Sequence, residues 1–76
     1  MKAYVFVNVA PGKSVGVVEN LRAIEGVVSA DVCWGLPDMI ALVEVADLKA
    51  LQDFVVQKMQ SVAGVNQTDT HIVWSA

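Results

Sequence analysis

Two stretches of this chain echo each other at a fixed offset. "AIEGVVSADV" (Ala23–Val32) aligns with "SVAGVNQTDT" (Ser61–Thr70), setting Ile24 on Val62, Gly26 on Gly64, Val27 on Val65 and Asp31 on Asp69. At the same offset Leu21 falls on Met59, Val5 on Val43 and Val7 on Val45. In each copy an alternating run precedes a helical stripe, and a glycine separates that stripe from a second alternating run. The chain therefore reads as strand-helix-strand, twice.

The periodicities support that reading. Ala3–Val9 alternates Val5, Val7 and Val9 with Tyr4, Phe6 and Asn8, and both faces are mostly apolar. That pattern suits a strand covered on two sides. Pro11-Gly12 breaks it. A helix is expected from Lys13 or Ser14 to Glu25, with Ser14 as N-cap, Val17, Val18, Leu21 and Ile24 as its apolar stripe, and Gly26 at its C-terminal end. The second strand is expected over Val28–Trp34, with Val28, Ala30, Val32 and Trp34 on one face. The third, Met39–Val45, is apolar until Glu44, as a central strand should be. A second helix is expected from Leu48 to Val62, capped by Asp47 and ended by Gly64. The last strand is expected over Gln67–Trp74, with Thr68, Thr70, Ile72 and Trp74 alternating with Gln67, Asp69, His71 and Val73.

Two strand-helix-strand units in 76 residues point to the α+β ferredoxin-like sandwich of order β-α-β-β-α-β, a four-stranded antiparallel sheet with both helices on one face. One small domain fills the chain. A domain this size buries only about 60% of its unfolded surface, yet 55% of these residues are hydrophobic. The open sheet face, carrying Tyr4 and Phe6, must therefore pack on something. A second copy of the same sheet is the simplest cover, so a homo-oligomer is expected.

Charge narrows the partners. The net charge is −3, and the basic residues Lys2, Lys13, Arg22, Lys49 and Lys58 are scattered. Nucleic-acid binding needs clustered cations to neutralise phosphates, so direct DNA binding is not expected. No apolar run reaches the roughly 18–20 residues of a membrane span, and no signal-peptide pattern follows Met1-Lys2. One cysteine, Cys33, suits a reducing compartment, so a cytoplasmic protein is expected.

Few residues carry chemistry. His71 is the only histidine and no cysteine pair exists, so neither a metal site nor a cofactor is expected. Cys33 could be a nucleophile only beside His71 as base, and reads better as a packed strand thiol. Pro11-Gly12-Lys13-Ser14 lacks the upstream glycine of a phosphate loop. Asp47 reads as a cap; Glu19, Glu25 and Asp53 read as solvated helix surface. What remains is the turn in "CWGLPDMIALVEV" (Cys33–Val45), where Trp34, Leu36 and Met39 surround one carboxylate, Asp38.

At this turn the chain resembles a known family, the C-terminal effector (RAM) domain of leucine-responsive regulatory protein/AsnC regulators. The likeness covers nearly the whole chain. It rests on Val9-x-Pro11-Gly12, Ile24-x-Gly26-Val27, Gly35-x-x-Asp38, "VEVADLKALQDFV" and Val65-x-x-Thr68-x-Thr70-x-Ile72-Val73. The resemblance implies sheet-to-sheet dimers that assemble into tetramers, octamers or decamers and bind an amino-acid effector where dimers meet. Transferred to this chain, the ligand-binding residues are Trp34, Gly35, Leu36, Pro37 and Asp38, with Thr68 and Thr70 from a neighbouring chain. Backbone groups at Gly35 and Leu36 would meet the effector's carboxylate, and Asp38 its ammonium. Two departures stand out. The chain begins at the first strand, where the transcription factors carry a helix-turn-helix, and Pro37 replaces the aromatic common before the aspartate.

The expected function is thus a stand-alone, non-enzymatic effector-binding and assembly module that modulates full-length relatives by co-assembly. The alternative is a cofactor-independent oxygenase of the dimeric α+β barrel type, with Asn8, Trp34, His71 and Trp74 supplying its site. Asp38 also has a competing role, capping its own turn as aspartate often does beside proline and glycine.

Overall fold

The computed structural model describes residues 1–74. Its elements are β1 (Lys2–Val9), α1 (Ser14–Arg22), β2 (Val27–Val32), β3 (Met39–Glu44), α2 (Leu48–Phe54, running on as a π-helical turn over Val55–Met59) and β4 (Val65–Ile72). The strands form one antiparallel sheet in the order β2-β3-β1-β4. This is the ferredoxin-like α+β fold that the doubled pattern predicts.

Strand parity divides the two sheet faces. Ala3, Val5, Val7 and Val9 of β1 and Met39, Ala41 and Val43 of β3 are buried, and they form one cluster with Val17, Val18 and Leu21 of α1 and with Leu51, Val55 and Met59 of α2 and its π turn. Both helices therefore lie on this face. Residues of the other parity, Tyr4, Phe6, Ile40 and Leu42, keep part of their surface in solvent. The two helix-facing strand stripes contribute no polar side chain to the core.

Several boundaries differ from the sequence reading, each for a local reason. Ser14 is the first residue of α1 rather than its cap; Lys13 holds that position and its side chain makes no capping bond. The helix ends at Arg22, because the chain tightens there and the Ile24 N–H bonds the Leu21 carbonyl at 3.1 Å. Asp47 does cap α2, accepting from the Ala50 N–H at 2.8 Å. The second helix closes at Met59, where the Gln60 N–H reaches back five residues to the Val55 carbonyl. In β2, Val27 pairs with Val43 but Ser29 with Leu42, so Val28 is the extra residue of a bulge. Val28 is 58% exposed and does not share a regular face with Ala30 and Val32.

Candidate functional site

The β2–β3 hairpin is tied to the end of β1 through Asp38. The β1–β4 register shifts between Asn8 and Val9, and there the Val9 N–H donates to Asp38 Oδ2 at 2.8 Å. In return the Asp38 N–H donates to Asn8 Oδ1 at 3.3 Å. The Asp38 carbonyl also closes the hairpin by accepting from the Cys33 N–H at 2.7 Å. Asp38 therefore caps β1, a partner 29 residues away, rather than its own turn. One carboxylate oxygen takes that bond, and Oδ1 remains as a second acceptor.

Beyond this staple the loop projects into solvent. Trp34 and Leu36 are fully or almost fully exposed at 103% and 87%. Gly35 has φ +110°, and a Cβ built there would meet no heavy atom within 4 Å. Its backbone is thus open to close approach by a ligand. A hollow of about 270 Å³ lies beneath the loop, lined by Leu36 and Pro37 of the hairpin, Phe6 and Asn8 of β1, and Gln67 and Asp69 of β4. Strand register dictates this lining, since Phe6 pairs with Asp69 and Asn8 with Gln67 on the open face. Asp69 Oδ2 stands 3.0 Å from His71 Nε2, and the His71 ring lies 4.5 Å from that of Phe6. The volume falls just below the roughly 300–1,000 Å³ of drug-sized pockets, so the hollow suits a small ligand.

A larger groove of about 570 Å³ lies at the opposite end of the sheet, between the end of β3 and α2. Its carboxylates, Glu25, Glu44 and Asp53, are all exposed and read as solvated surface. Among the described residues no cluster of three His, Cys, Asp or Glu side chains is arranged to hold a metal ion. No described helix is long and apolar enough to cross a membrane.

The expected site residues fall into two groups. Trp34, Gly35, Leu36, Pro37 and Asp38 are contiguous in the hairpin, with Leu36 and Pro37 lining the hollow. Thr68 and Thr70 lie on the other side of the sheet. They pair with Val7 and Val5, whose side chains face the helices, and Thr68 Oγ1 accepts from Gln60 Nε2 at 2.8 Å. They are not in this chain's own hollow, and only a neighbouring copy could bring such threonines to the hairpin. The residues that line it beside Leu36 and Pro37, namely Phe6, Asn8, Gln67 and Asp69, were missing from the expected ligand-binding set, although Asn8 belonged to the oxygenase-type set. Alternation puts Gln67 and Asp69 on the parity opposite Thr68 and Thr70, but the pairing with β1 is what turns that parity toward the hairpin. Within one chain the oxygenase-type set does not converge: Trp34 follows β2 at the hairpin end, whereas Trp74 follows Ile72, which pairs with Ala3 at the other end.

The geometry thus comprises a ferredoxin-like sheet with one face free of helices and an open, carboxylate-stapled hairpin over a small hollow. Residues 2–76 match the family model described as the Lrp/AsnC ligand binding domain, and the chain belongs to that family. It is 33% identical over 73 residues to the uncharacterized HTH-type transcriptional regulator PH0140 of Pyrococcus horikoshii. That match covers 96% of this chain and 46% of the regulator, so the chain spans about half the length of the curated relatives it matches. The crystal structure of FFRP-DM1 is 33% identical, with a TM-score of 0.90 over 96% of this chain and 97% of that one. TTHA0845 from Thermus thermophilus is 27% identical, with a TM-score of 0.91 over 99% and 94% of the two chains. The chain is thus an effector-binding domain of a family of transcription regulators.

Proposed function

We propose that the domain binds a free amino acid at a site shared between subunits. The observation that carries this reading is the hairpin: an open backbone at Gly35 and Leu36, apolar cover from Trp34, Leu36 and Pro37, and a carboxylate at Asp38 with a spare acceptor oxygen. A zwitterion needs donors for its carboxylate and an acceptor for its ammonium, and the hairpin supplies both within five residues. Thr68 and Thr70 of a neighbouring copy would add hydroxyl contacts at the edge of the site. Sheet-to-sheet dimers would assemble into tetramers, octamers or decamers, in the cytoplasm. Co-assembly with full-length regulators of the same family would then pass the effector signal to DNA. The module itself catalyses nothing and does not bind DNA directly.

A thermal-shift screen with the twenty amino acids tests the reading. At least one should raise the melting temperature in a concentration-dependent way, because a ligand bound only by the native state stabilises it by mass action. A flat response to all twenty would refute effector binding of this class. Co-assembly has its own test: mixing with a full-length relative should retard that relative's operator DNA differently, whereas this chain alone should retard none.

A further inference from the structure

Resting on the amino-acid reading above, we propose that the hollow beneath the hairpin takes the effector's side chain and selects a basic amino acid of lysine type. The lining carries one formal charge, the Asp69 carboxylate, and no cation. Asn8 and Gln67 add carboxamides, of which Asn8 Oδ1 is already committed to the Asp38 N–H. The Gln67 carboxamide and the Asp69 carboxylate therefore supply the uncommitted acceptors of the lining, and a side chain ending in three N–H donors answers them. A side chain ending in a carboxylate meets a like charge instead. The apolar residues Phe6, Leu36 and Pro37 line the rest, which suits a methylene stem.

The spacing agrees with the chemistry. Asp38 is stapled at Asn8 and Val9, while Asp69 pairs with Phe6, two residues back along β1. Because β3 and β4 flank β1 on opposite sides, the two aspartates are separated by about 6.8 Å along β1 and by two strand spacings, about 9.6 Å, across it. An effector whose α-ammonium meets Asp38 therefore needs a long side chain to bring a terminal cation toward Asp69. His71 already contacts Asp69 Oδ2, leaving the other oxygen for the ligand.

Calorimetry on the full chain with L-lysine, L-norleucine and L-glutamate tests this. Norleucine keeps the stem and lacks the terminal ammonium. L-lysine should bind at least about tenfold more tightly than norleucine, as expected for a charge-assisted contact, and glutamate should bind least. Asp69→Asn should erase the lysine advantage while leaving norleucine affinity within about twofold. Asp69 is exposed, and circular dichroism with sedimentation will show whether the variant keeps fold and assembly; Gln67→Leu, with the same expected loss, serves if it does not. Equal affinity for lysine and norleucine, with another amino acid bound, overturns the selectivity and leaves the broader reading intact. Silence from all twenty amino acids overturns both.

Discussion

Asp38 staples β1 to the hairpin, and substitution can separate that role from the ammonium contact proposed for it. Oδ2 accepts from the Val9 N–H in a part-buried position, so Asp38→Ala leaves that donor without its partner and should cost about 1–3 kcal/mol of stability in urea titration. Asp38→Asn keeps a carbonyl acceptor and should stay within about 1 kcal/mol of the parent. It should nonetheless weaken amino-acid binding by about 1.5–3 kcal/mol, through loss of a charge-assisted contact to the ammonium. If calorimetry finds Asp38→Asn binding unchanged in a folded, correctly assembled protein, Asp38 is a staple only. The sequence marks this residue because a lone carboxylate in an apolar turn is unusual. Its partner was not legible, because the bond depends on a register shift between Asn8 and Val9 that no local pattern announces. The same limit separates Thr68 and Thr70 from Gln67 and Asp69. Alternation splits β4 into two faces, but only pairing with β1 tells which face meets the hairpin.

At the scale of elements, the internal echo becomes an interlock between halves. Gly26, in the first half, has φ +104°, and a Cβ there would sit 2.8 Å from a ring carbon of Phe54, on the second half's helix. Gly64, in the second half, has φ +99°, and a Cβ there would sit 2.9 Å from Val17 Cγ2, on the first half's helix. Each glycine thus lets the opposite helix approach the turn that starts a strand. Gly26→Ala and Gly64→Ala should each cost more than about 1 kcal/mol, since backbone strain and a clash with packed side chains add. Gly12→Ala is the control: its φ is +77°, but a Cβ there would meet nothing within 4 Å, so it should cost less. Equal urea midpoints for the three variants would refute the interlock. At the other helix start, Asp47→Ala should cost about 1 kcal/mol through loss of the Ala50 contact. Element order, the sheet's two faces and this cap were legible because hydrophobic period and glycine position report them directly. The Val28 bulge and the π turn at Val55–Met59 were not, because each inserts a residue into an otherwise regular period.

For the whole molecule, the question is what covers the open sheet face. Tyr4, Phe6, Ile40 and Leu42 form its centre, with Tyr4 46% exposed. A chain of 8.1 kDa with this much apolar surface should be at least dimeric at micromolar concentration, and sedimentation that finds a stable folded monomer would defeat the expectation. Phe6→Asp is the obvious disruption, since it buries an unpaired charge in the interface. It carries a confounding cost, however, because Phe6 pairs directly with Asp69 and like charges facing across strands destabilise the sheet itself. Leu42→Lys avoids this: its cross-strand neighbours are Tyr4 and Ser29, so the new side chain faces no lysine or arginine across the strands. It should therefore dissociate the assembly while the isolated subunit keeps its helical and strand content by circular dichroism. A Leu42→Lys protein that sediments like the parent would place the subunit contact on another surface.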